Sequence, residues 1–204
     1  MAGVGVLPYG LTSVPVSAGI GYLITKTGRY QWGIWSGWTI TTLGLGLLIL
    51  LKESTSTVAF VFITMVPGIG QGLLIMSLSA SVQAVSPQKD VAYAGSMYTF
   101  MRSLGLSLGV TICGTIFQNF LSTRLEFNGL LTEIARNAEG YVLVLKSMAA
   151  SEQKRLVLGS YEWAFQMLFA TMTGIVGAGL VLGCLVRKYT LNRSLETEHR
   201  LRET

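Results

Sequence analysis

The chain has 204 residues, half of them hydrophobic and only 12% charged, with a formal net charge of +5 and a mean hydropathy of +0.54. A soluble domain carries about twice that charged fraction, so the composition points instead to an all-α integral membrane protein, a bundle of about five transmembrane helices. The basic excess does not indicate nucleic-acid binding, because Lys and Arg are dispersed between apolar stretches and gather on no single segment.

A membrane-crossing helix needs about 20 mostly apolar residues. Five such stretches run over 4–24, 33–51, 58–78, 93–117 and 163–186, each followed by charges or turn formers. Their length and their Leu, Ile, Met and Ala content favour helices over barrel strands, which run to about ten alternating residues. Residues 1–186 are thus read as the membrane region and 187–204 as a charged cytoplasmic tail.

The first span lacks a basic leading segment and is interrupted by Pro8, Gly10 and Pro15, so it is read as a bent helix and not as a cleavable signal. A short basic link containing Lys26, Gly28 and Arg29 leads to the second span, which opens with Trp32, Trp35 and Trp38, a pattern expected of an interfacial aromatic belt. Lys52 and Glu53 close it. The third span holds Pro67-Gly68-Ile69-Gly70-Gln71-Gly72, which predicts a kink. No strand precedes these glycines and no Gly-Lys-Ser/Thr follows them, so they are not a phosphate loop. Gln71 offers a hydrogen bond to a substrate or to a neighbouring helix.

Asp90 stands where it can cap the fourth span. That span carries Arg102, the one charge well inside an apolar stretch, about ten residues from its start and so roughly 10–15 Å deep. Such a residue faces a cavity or a partner, or else snorkels to the near interface. Residues 121–160 form a long extracytoplasmic loop, partly helical and lying near the membrane surface. Cys113 and Cys184 fall inside spans, so no disulfide framework is implied.

Small residues recur four apart at Gly33/Gly37, Gly68/Gly72, Gly105/Gly109 and Gly179/Gly183, faces along which helices in lipid approach closely. Putting the 25–31 link, the 79–92 link and the tail on one side gathers eight basic residues there: Lys26, Arg29, Lys89, Arg187, Lys188, Arg193, Arg200 and Arg202. The opposite side has six, and the richer side is expected to be cytoplasmic. Enzyme chemistry has little material: the single His is His199 in the tail, and no intramembrane acid pair or metal-ligand cluster is present. No catalytic residue, metal or cofactor is expected.

The segment Gly21-Tyr22-Leu23-Ile24-Thr25-Lys26-Thr27-Gly28-Arg29-Tyr30 resembles the cytoplasmic loop motif of the major facilitator superfamily. Gly21, Lys26, Gly28 and Arg29 match, while Thr25 stands where an acid is usual; a simple basic turn is the other reading. Leu7-Pro8, Val14-Pro15-Val16, Gly68–Gly72 and Tyr98-Thr99-Phe100-Met101-Arg102-Ser103-Leu104-Gly105 extend the likeness. Together they are similar to the C-terminal portion of the fourteen-span drug:proton antiporters, the fungal efflux pumps in particular.

The resemblance implies proton-coupled efflux of small amphipathic organic compounds at the plasma membrane. It also implies partnership with the lipid bilayer and with an N-terminal transporter half that this sequence does not contain. Spans one, three and four then line the path, with Tyr9, Thr12, Ser13, Gln71, Tyr98 and Arg102 as substrate-pathway candidates and Gly21, Lys26, Gly28 and Arg29 as the cytoplasmic gate motif. Ordinary helix packing is the competing reading for the pathway tyrosines and hydroxyls. A non-transporting membrane subunit or truncated regulator that pairs with full-length relatives is the alternative function.

Overall fold

The computed structural model describes residues 2–52, 55–129, 133–136, 138–147 and 152–185. The elements are α1 (Ala2–Thr27), α2 (Gln31–Leu48), α3 (Thr57–Val85), a 3-10 turn (Gln88–Asp90), α4 (Val91–Phe127), α5 (Glu133–Arg136), α6 (Ala138–Ser147) and α7 (Glu152–Cys184). The fold class is all-α, with no strand among the described residues. The tail, including His199, lies outside them.

Among the described residues, three helices are long and apolar enough to cross a membrane: α3, α4 with its leading turn, and α7. The other two expected spans fall on α1 and α2. These are more diluted by Gly, Ser and Thr, with Pro8 and Pro15 inside α1 and Gln31 and three Trp in α2. Helices α4 and α7 also run past their apolar stretches, because charged residues at their ends (Arg124 and Glu126; Glu152, Lys154 and Arg155) are good helix formers although they read as loop by hydropathy.

Helix α3 packs against both α1 and α2, α2 against α7, and α7 against α4, with α4 also touching α3. Small residues set these approaches. A Cβ on Gly72 would come 2.6 Å from the Ser13 carbonyl oxygen of α1, and one on Gly70 would come 2.6 Å from the Thr41 nitrogen of α2. Gly179 and Gly183 of α7 receive the Trp38 ring, whose atoms would lie 2.8 Å from either Cβ. Trp38 is therefore a packing residue and not part of an interfacial belt. Trp32 donates through Nε1 to the Arg29 carbonyl (2.8 Å), and Trp35 donates to that of Gly183 (3.2 Å). Gly105 and Gly109, by contrast, have nothing within 4 Å of a built Cβ.

The apolar core has two centres. One joins α1, α2 and α3 through Ile20, Ile24, Tyr30, Ile34, Leu73 and Ala84. The other lies at the opposite end, where Leu121 and Leu125 of α4, Ala138 and Leu145 of α6, and Val157, Tyr161 and Ala164 of α7 are buried together. Tyr161 donates its hydroxyl to the Ala138 carbonyl (2.8 Å), and the Asn128 amide donates to Ser160 Oγ (2.9 Å). The described part of 121–160 is thus a packed helical cap, with Arg124 held over the Phe127 and Trp163 rings at 5.4 Å from each.

Candidate functional site

Turn chemistry fixes the link between α1 and α2. Gly28 has φ +65°, a conformation that L-residues rarely adopt, and its N–H donates to the Ile24 carbonyl at 2.8 Å, closing the end of α1. Thr25, at the position usual for an acid, donates its hydroxyl to the Gly21 carbonyl (2.9 Å). A Cβ on Gly21 would come into ordinary contact with Met76 of α3 (3.7 Å), whereas Lys26 and Arg29 are exposed. At the other link of this end, Asp90 takes the N-cap position but its side chain makes no cap hydrogen bond. Its backbone is committed to the 3-10 turn, with N–H to the Pro87 carbonyl at 2.9 Å and ψ 3°. That departs from the extended backbone from which a cap side chain reaches the next N–H groups.

The pathway candidates lie on α1, α3 and α4. On α1, Thr12 is buried and donates its hydroxyl to the Pro8 carbonyl (2.6 Å), and Ser13 donates to that of Gly10 (3.3 Å). Both hydroxyls therefore bond within their own helix. Gly68 of α3 sits under the backbone of Tyr9 and against Thr12, and Gly72 under that of Ser13. Tyr98 of α4 reaches across to α3, donating its hydroxyl to the Ile75 carbonyl at 3.1 Å. Gln71 lies three residues after Gly68 and four before Ile75, so it shares the α3 face that meets both α1 and α4. It is half-buried and makes no side-chain hydrogen bond with a described residue.

Arg102 lies one turn beyond Tyr98 on α4 and is exposed. It makes no hydrogen bond or ion pair with the described residues. Tyr9, Thr12 and Ser13 thus lie along the α1–α3 contact, Tyr98 joins α4 to α3, and no contact brings Arg102 or the Gln71 side chain to the other candidates among the described residues. From Ser96 to Thr115, α4 shows almost its whole circumference, with Phe100 58% and Val110 73% exposed. Its hydroxyls at Thr99, Ser107, Thr111 and Thr115 bond back to carbonyls four residues earlier, as polar residues on an apolar helix do when no outside partner is present.

Sequence reading passed over a second feature, an open cleft at the opposite end, between the α2–α3 link and α7. Its volume is about 540 Å³, and its walls include Lys52, Phe60, Glu162, Phe165, Gln166 and Phe169. No motif marks it, because its residues come from positions more than a hundred apart in the chain.

Comparison with known proteins gives a consistent picture. An MFS transporter (L2) of Phoma sp. is 38% identical across all of this chain, which covers 35% of that protein. An MFS-type transporter (pydD) of Acremonium sp. is 29% identical over 99% of the chain and 36% of its own length. The efflux pump FUS6 of Gibberella fujikuroi is 28% identical over 96% of the chain and 37% of its own length. The chain therefore spans about a third of the length of these curated relatives. No family model and no solved structure matches it.

Proposed function

The chain belongs to the major facilitator superfamily, and from that premise we propose that it forms part of a transporter exporting small amphipathic organic compounds in exchange for protons. The observation that carries this reading is that the chain aligns end to end with proteins named as transporters and efflux pumps, and it is supported by an exposed Arg102 one turn beyond Tyr98, which joins α4 to α3. A cation in a membrane helix faces a cavity or a partner, and in this reading Arg102 and Tyr98 face an amphipathic substrate.

In this reading the membrane is the plasma membrane, and the exposed Lys26 and Arg29 lie on its cytoplasmic side. Alternating access needs two halves moving around a midplane site, and the partner of this segment is the N-terminal half of a transporter. The test exchanges this chain for the matching third of the Phoma relative and measures proton-driven dye export from cells. The hybrid is expected to export, and residues 1–204 expressed alone are expected not to. A hybrid that reaches the membrane yet never exports, while the parent does, supports a non-transporting subunit instead.

A further inference from the structure

With α2 taken as a membrane span, as the sequence reading has it, the cleft between the α2–α3 link and α7 falls at headgroup depth. Helix α2 has 18 residues, about 27 Å at 1.5 Å per residue, close to the roughly 30 Å of a hydrocarbon core. Trp32 and Trp35 stand at its start, and Lys52 follows its end. Helix α7 runs the other way: Gly183 meets Trp35 and Trp38, and Glu162 lies about 21 residues before it, roughly 31 Å along the axis. Lys52 and Glu162 line the same cleft, and with α2 and α7 both taken as spans they stand at the same boundary of the membrane.

The rim is built and not merely open. The Lys52 N–H donates to Thr55 Oγ1 (2.9 Å), and the Thr55 N–H returns to the Lys52 carbonyl (2.9 Å). On α7 the Gln166 amide donates to Glu162 Oε1 at 3.5 Å, and Phe165 and Phe169 continue the same helical face toward the membrane interior. Phe60 of α3 supplies the facing wall. Among the described residues, Lys52 and Glu162 are the charged groups of the lining, with the Phe60, Phe165 and Phe169 rings beside them.

We propose that this cleft binds a zwitterionic glycerophospholipid, with the phosphate at Lys52, the ammonium at Glu162, and an acyl chain along Phe60, Phe165 and Phe169. Each part of the lipid answers a feature that the others leave unmet. An anionic lipid meets the Glu162 carboxylate with like charge, and an uncharged lipid offers no charge to either Lys52 or Glu162. The ammonium also lies near the Phe165 face, where a ring attracts a cation. About 540 Å³ is within the roughly 300–1,000 Å³ of ligand cavities.

Native mass spectrometry of the detergent-purified 204-residue chain, titrated with dioleoyl phosphatidylethanolamine, phosphatidylcholine or phosphatidylglycerol, tests this. The two zwitterionic lipids are expected to saturate at one per chain at several-fold lower concentration than phosphatidylglycerol. Glu162→Gln should abolish that preference, and Lys52→Gln should weaken both zwitterionic lipids several-fold. Glu126→Gln, an exposed acid outside the cleft, should change nothing, and circular dichroism should show all variants equally helical. Equal binding of phosphatidylglycerol by the unaltered chain overturns the proposal, as does an unchanged preference in Glu162→Gln or loss of preference in Glu126→Gln. Saturation by tetraphenylphosphonium that phosphatidylethanolamine cannot displace also overturns it, and marks an organic-cation site.

Discussion

The backbone nitrogen of Pro67 in α3 lies 2.6 Å from the point where a Cβ on Gly44 of α2 would stand. Because the obstacle is backbone and the proline ring, no rotamer change relieves it. Gly44→Ala must push α2 from α3, and overpacking of this kind costs about 1–3 kcal/mol. Gly46, two residues on, has nothing within 4 Å of a built Cβ, so Gly46→Ala should show only the helix-propensity gain of up to about 1 kcal/mol. Thermal unfolding in detergent should place Gly44→Ala below the unaltered chain and Gly46→Ala at or above it.

The cap formed by α5, α6 and the ends of α4 and α7 should behave as a folded unit. Tyr161→Phe removes the hydrogen bond to the Ala138 carbonyl, at a cost of about 0.5–1.5 kcal/mol. Backbone hydrogen exchange should rise in 138–147 and leave α3 unchanged. Equal exchange in 138–147 before and after the substitution would show that the cap does not depend on this bond.

The proposed orientation places the tail in the cytoplasm. Asn192-Arg193-Ser194 is a glycosylation sequon, and Asn192 should stay unmodified in a eukaryotic host. An endoglycosidase-sensitive band that Asn192→Gln abolishes would invert the topology.

The sequence made the positions of the helices and the turn at Gly28 legible, because apolar length and a glycine between Lys26 and Arg29 are local signals. It left their extent unread: hydropathy reports only the part matched to lipid, and Arg124 and Lys154 continue helices beyond it. The cap core was out of reach, since Leu121, Leu145 and Tyr161 meet only through tertiary packing. Spacing alone could not separate Gly105/Gly109, which stand in open space, from Gly179/Gly183, which hold Trp38. At the candidate site the residue types were readable, but the internal bonds of Thr12 and Ser13 and the reach of Tyr98 to Ile75 depend on where the helices lie.

The most direct test of the transport reading is efflux by Arg102 variants of the hybrid transporter, with surface expression measured alongside. Arg102 is exposed and has no acid partner among the described residues, so in the pathway its counter-charge is a substrate or a group of the N-terminal half. Arg102→Lys keeps the charge but loses the planar fork of donors, and export should fall despite normal expression. Arg102→Leu removes a charge that costs about 2.5–3.5 kcal/mol to place in the membrane, so it should insert at least as well while exporting still less. A snorkelling arginine gives the opposite pattern: full export with Lys and nearly full export with Leu, which would remove Arg102 from the pathway and contradict the account.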